Sequence, residues 1–76
     1  MSTRMVRAVK AEMELLNWTE AQLLHYVCGQ RAIFDETTAP GTDFCGWISE
    51  KRGLTLQQGT SIVRWAEAKE RDESRK

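Results

Sequence analysis

Two copies of one four-residue pattern constrain this chain more than any other feature. Thr19-Glu20-Ala21-Gln22 and Thr55-Leu56-Gln57-Gln58 each set a threonine three residues ahead of a glutamine. In such a capping box the threonine hydroxyl accepts from the amide three residues on, and the glutamine side chain reaches back to the threonine's own amide. Together they satisfy two of the donors that every helix start leaves unpaired. Helices are therefore predicted to begin at Glu20 and at Leu56. Trp18 and Leu23 take the two positions of a hydrophobic staple around the first box.

Apolar spacing fills in the rest. Met5, Val9, Met13 and Leu16 recur at intervals of four, four and three, one stripe of a helix over 3–16. Asn17 suits its end, because asparagine tolerates the left-handed conformation found there. The helix from Glu20 turns Leu23, Leu24, Val27 and Cys28 inward and runs to about residue 34. Gly29 is a natural stop within it, with Ala32, Ile33 and Phe34 either extending the helix or opening a second short turn. Asp35–Thr42 is the one loop of any length, with a Pro40-Gly41 turn that Thr38 and Ala39 should enter extended. Thr42 or Asp43 caps a third helix over 43–52, whose apolar face is Phe44, Trp47 and Ile48. Lys51 and Arg52 stand at its C-terminal end, where the dipole favours cations, and Gly53 closes it.

The fourth helix, 56–71, buries Gly59, Ile62, Val63 and Ala66. A glycine inside a helix is less stable than alanine by about 1 kcal/mol, so Gly59 is predicted to admit another helix at close range. From about residue 70 the charges alternate in sign, which reads as a solvated end that frays. The expectation is all-α: one domain, 1–76, a compact bundle of about four short helices over 3–16, 20–34, 43–52 and 56–71.

Composition narrows the function. Eleven basic residues balance eleven acidic ones, and the balance is local as well. Residues 1–17 hold three cations against two acids, 18–42 one against three, 43–66 three against two, and 67–76 four against four. Nucleic-acid binders usually carry a basic field, because phosphate neutralisation supplies much of their affinity; the totals show none. On the first helix, however, Arg4, Arg7 and Lys10 crowd the early turns, which the dipole disfavours, while Glu12 and Glu14 come late. That inverted order suggests that the cations serve something beyond the helix, although a solvated face is the plainer explanation. Glu12 and Glu14 also fall where a cleavable leader would have its apolar core, so no leader is expected. No apolar run approaches the roughly 20 residues that span a bilayer. Two cysteines permit at most one disulfide, which points to a cytoplasmic protein with reduced thiols.

Catalytic and metal chemistry find little support. His25 and Cys28 are three apart, Cys45 follows the loop, and Asp35, Glu36 or Asp43 would have to complete a zinc site; no paired CxxC is present. A Cys28–Cys45 bridge requires the second and third helices to pack, and free cysteine more often serves as a small core residue. A Cys/His nucleophile would lack an orienting third group and an oxyanion hole. No enzyme activity, metal or cofactor is expected.

Residues 47–65 carry the one resemblance. Ile48, the turn residue Gly53, Leu54, the cap Thr55 and the late apolar Ile62 resemble the outline of a bacterial helix-turn-helix. Its small residue falls at Ser49, while its buried aliphatic position in the second helix falls at Gly59, where this chain departs from it. The resemblance implies a DNA-binding transcriptional regulator, dimeric through the first helix. Gln57, Gln58, Thr60, Ser61 and Arg64 would then face bases and phosphates.

The three tryptophans point elsewhere. Trp47 and Trp65 lie on helices joined by a very short turn, where a core role for both is the plainer reading. A domain this small nevertheless struggles to bury three indoles, and an indole left half exposed beside arginine is the kind of cluster that dominates protein interfaces. Trp47, Lys51, Arg52, Arg64 and Trp65 are the residues expected to form it. The favoured expectation is a small non-enzymatic regulator, adaptor or inhibitor that binds a protein partner, of the type of phage host-takeover and anti-defence inhibitors. DNA is the alternative partner, and a homodimer is compatible with either.

Overall fold

The computed structural model describes residues 3–39 and 41–74. It is all-α: α1 Thr3–Leu16, α2 Glu20–Thr37, α3 Phe44–Arg52 and α4 Leu56–Ser74, with no strand among the described residues. Both capping boxes form. Thr19 N donates to Gln22 Oε1 at 2.8 Å and Gln22 N to Thr19 Oγ1 at 3.2 Å. Thr55 N donates to Gln58 Oε1 and Gln58 N to Thr55 Oγ1, each at 3.1 Å. Asn17 is left-handed (φ 56), as is Gly53 (φ 69), so these two residues end their helices by the expected means.

Helix α2 outruns its expected end. It passes through Gly29, which is exposed and would place a Cβ in open space, and continues to Thr37. Nothing at Gly29 requires a left-handed turn, and the extra turns are anchored by Phe34, which is 8% exposed and packs on Phe44. Tertiary burial here outweighs the propensity penalty of roughly 1 kcal/mol. The end comes when the hydroxyls of Thr37 and Thr38 turn back on the carbonyls of Ile33 and Phe34. Thr38 is then extended (φ −103, ψ 151). Pro40 lies outside the described residues; Thr42 N donates to Ala39 O across the turn at 3.3 Å. Asp43 is the cap of α3, accepting from Gly46 N, so the helix starts at Phe44. Helix α4 continues to Ser74, past its expected end at residue 71.

Helix α4 is the hub. It packs most extensively on α1 and α3 and also touches α2, while α2 meets α3. Ile62, Val63, Trp65 and Ala66 of α4 join Val9, Leu23, Val27, Phe34, Phe44 and Ile48 in the core. Gly59 is buried where α3 crosses α4. A Cβ there would fall 1.6 Å from Ser49 Oγ and 2.8 Å from Ser49 Cβ, so the close approach expected of Gly59 is present.

One acid departs from the sequence reading. Glu12, placed off the apolar stripe of α1, has a side chain only 2% exposed and is paired with Arg52 Nη2 of α3 at 3.2 Å. The buried face is wider than Met5, Val9, Met13 and Leu16 suggest because the Arg52 side chain, from the end of α3, reaches α1 at this point. A guanidinium at the end of α3 makes the burial of a carboxylate tolerable.

Candidate functional site

The residues expected to bind a protein separate into three environments. Trp47 is partly buried, and Lys51, one turn further along α3, sets its Nζ over the indole at 4.7 Å from the ring centroid. Behind Trp47 lie Phe34 (5.5 Å between centroids) and Phe44 (5.9 Å). Arg31 of α2 lies over Phe44 at 5.1 Å and reaches Asp35 and Glu67 at 3.3 and 3.7 Å. The rings fix one another in tilted and stacked contacts, each worth about 0.5–1.5 kcal/mol beyond area burial. A rigid aromatic platform edged by two cations results. Sequence spacing within α3 located Trp47 and Lys51. Arg31 and Phe34 were missed because they come from α2, and spacing along one helix does not reveal which other helix lies beside it.

Arg52 is not part of that platform. Its guanidinium turns inward to Glu12, and its Nε is buried without a hydrogen-bond partner among the described residues. Trp65 is 2% exposed and is a core residue, so it offers a partner no surface. An indole on the hub helix is enclosed from several sides. Arg64 is exposed on the outer face of α4, near Cys45 rather than Trp47.

The residues of the DNA alternative also divide. Gln58 is committed to the cap of α4, and Ser61 is buried. Thr60 is partly buried beside Cys45. Gln57 and Arg64 remain exposed on the outer face of α4. Gln57 has a partner that the sequence did not reveal. In the amide orientation that satisfies both groups, its side-chain oxygen accepts from Arg4 Nη1 at 2.7 Å and Nε at 2.9 Å. The inverted charge order of α1 was the available signal.

Both cysteines are free thiols. Cys28 Sγ donates to Glu70 Oε1 at 2.5 Å. Burial pushes the Cys45 thiol above its ordinary 9.0; the hydrogen bond from Thr60 and the charge of Arg64 act the other way, and the charges of Asp43 and Glu67 add to the rise. A raised thiol pKa means less thiolate at a given pH, so alkylation by iodoacetamide is expected to be slow at about pH 8 and to keep accelerating beyond about pH 9. A Cys45 rate that levels off below that range would contradict this. The stability consequence has a definite sign. The unfolded thiol ionises first, so this contribution is present below about pH 9 and is lost as pH rises through the folded value.

No group of three or more His, Cys, Asp or Glu residues is placed to hold a metal ion among the described residues. Among those residues no helix is long and apolar enough to cross a membrane. No protein-family model, curated protein or solved structure matches the chain.

Proposed function

We propose that this chain is a small non-enzymatic regulator, adaptor or inhibitor that binds a protein through the aromatic platform of α3. The observation that carries this reading is the Trp47 ring, held against Phe34 and Phe44 and covered on one side by Lys51. Interfaces concentrate their energy in aromatic anchors and adjoining cations. An indole already immobilised by its neighbours loses little further freedom on binding, which removes part of the usual ordering penalty. Arg31 is offset by Asp35 and Glu67, so Lys51 is the cation left for a partner, and the complementary surface is apolar at its centre with an acid opposite Lys51.

The test is capture of partners from nuclease-treated lysate with tagged protein, followed by affinity measurement on the protein recovered in stoichiometric amount. Trp47→Ala should weaken binding by about 2 kcal/mol, roughly 30-fold, with helicity retained. Lys51→Ala, at the rim, should weaken it by less than about tenfold. A partner that binds Trp47→Ala as tightly as wild type would place the interface elsewhere.

A further inference from the structure

Between the first turns of α1 and α4 lies an open groove of about 450 Å³, whose lining includes Arg4, Arg7 and Ala8 of α1 and Gln57, Gln58 and Ser61 of α4. No carboxylate lines it. The net neutrality of the chain conceals how its charges are arranged. Arg31, Arg52 and Lys69 are each within 4 Å of an acid, at Asp35 and Glu67, Glu12, and Glu20 respectively. Arg4 and Arg7, like Lys10, Lys51, Arg64 and Arg71, make no ion pair among the described residues, but they alone of these line this groove; Arg4 crosses it to the neutral amide of Gln57. Both arginines sit in the first turns of α1, a helix with no acid in its first turn. They also face the opening turn of α4, which likewise has none. Two guanidiniums are thus held against two positive helix ends with no anion to offset them. That is a local conflict in an otherwise consistent fold, and such conflicts mark sites of function.

We propose that this groove binds the sugar–phosphate backbone of duplex DNA through Arg4 and Arg7. The complementary charge is an anion, and guanidiniums take phosphate oxygens in bidentate fashion. A polymeric phosphate is favoured over an acidic peptide because the cationic surface continues beyond the groove. Gln57 and Arg64, both exposed, are seven residues apart on α4 and so share one face, which sets a further guanidinium about two turns along the helix from the groove. The binding surface shares Gln57 with the residues that the helix-turn-helix resemblance assigned to DNA, but its two phosphate-binding cations come from α1, outside residues 47–65, and the Trp47 platform does not line it.

Fluorescence anisotropy with a labelled mixed-sequence duplex of about 20 base pairs tests this, titrated from low to moderate salt. Wild-type protein should bind, with an affinity that falls as salt rises. The paired substitution R4Q/R7Q should weaken binding at least about tenfold at low salt and flatten the log–log salt slope by about 2, one unit for each phosphate left unneutralised. Relief of the charge–dipole conflict offsets the loss of the exposed Arg4–Gln57 hydrogen bonds, so the same variant should melt within a few degrees of wild type, which separates a binding role from a structural one. Trp47→Ala should leave DNA binding unchanged, so this site and the protein-binding platform fail independently. Absence of wild-type binding at low salt, or equal binding by R4Q/R7Q, would overturn the proposal. So would displacement of the duplex by polyglutamate at equal charge concentration, which would make the groove an acidic-peptide site.

Discussion

Gly59→Ala is expected to destabilise the protein by about 2 kcal/mol and to lower its melting temperature by roughly 10 °C. On helix propensity alone the substitution should stabilise, by about 1 kcal/mol. The geometry at the crossing decides against that. The new methyl would fall 1.6 Å from Ser49 Oγ, 2.8 Å from Ser49 Cβ and 3.3 Å from the carbonyl oxygen of Cys45. The hydroxyl could rotate away, giving up its 2.6 Å hydrogen bond to Cys45 O, but the Ser49 Cβ cannot move without α3. Overpacking of a tight contact typically costs about 1–3 kcal/mol or more, which exceeds the gain in propensity. For a domain of this size, with a total stability of roughly 4–11 kcal/mol, that is a substantial share. Adding Ser49→Gly to Gly59→Ala removes the obstructing atom and should recover a large part of the stability. Thermal melts of the two variants check both steps; a Gly59→Ala protein as stable as wild type would mean that α3 and α4 are less closely packed.

Arg52→Met should be more damaging, by about 3–5 kcal/mol, because it strands the Glu12 carboxylate in the core. The two partners are unequal. Glu12 is 2% exposed and Arg52 25% exposed at the side chain. Glu12→Gln leaves a guanidinium that can still reach water and should therefore cost clearly less than Arg52→Met. Replacing both, as Glu12→Leu with Arg52→Met, removes the stranded charge and the unpartnered Nε together. The double variant should be close to wild type, since buried ion pairs are often no more stable than apolar residues of similar size. Denaturant titration of the three variants separates the pairing from the burial of each partner. If Arg52→Met proves harmless, Glu12 is reached by water.

Those two positions also show what could be read from the residues. The starts of α2 and α4, the left-handed stops at Asn17 and Gly53 and the close approach at Gly59 were legible because each depends on chemistry within a few residues. Glu12 was misread because periodicity assigns faces relative to one partner, while α1 meets both α4 and the end of α3. Spacing left Trp65 between core and interface and pointed Arg52 to an interface, because a side chain's destination depends on which helices surround it; Trp65 is core and Arg52 turns inward. Helix α2 ran past Gly29 because burial of Phe34 among the aromatic rings is a tertiary effect invisible to local propensity. Of the residues expected to act, Trp47 with Lys51 survived as a neighbouring pair, since they sit one turn apart on one helix. Arg4 and Gln57 meet from opposite ends of the sequence, and only the misplaced charges of α1 hinted at it.

The packing of α1 on α4 fixes when, during synthesis, the molecule can first exist. The start of α4 follows the end of α1 by 40 residues, from Leu16 to Leu56. At roughly 5–20 residues per second, translation separates them by about 2–8 s. Throughout that interval Val9 has no α4 to cover it, and Glu12 waits for Arg52. Until then α1 lacks the helix it packs on most, its own helicity is marginal, and native closure waits for the hub helix.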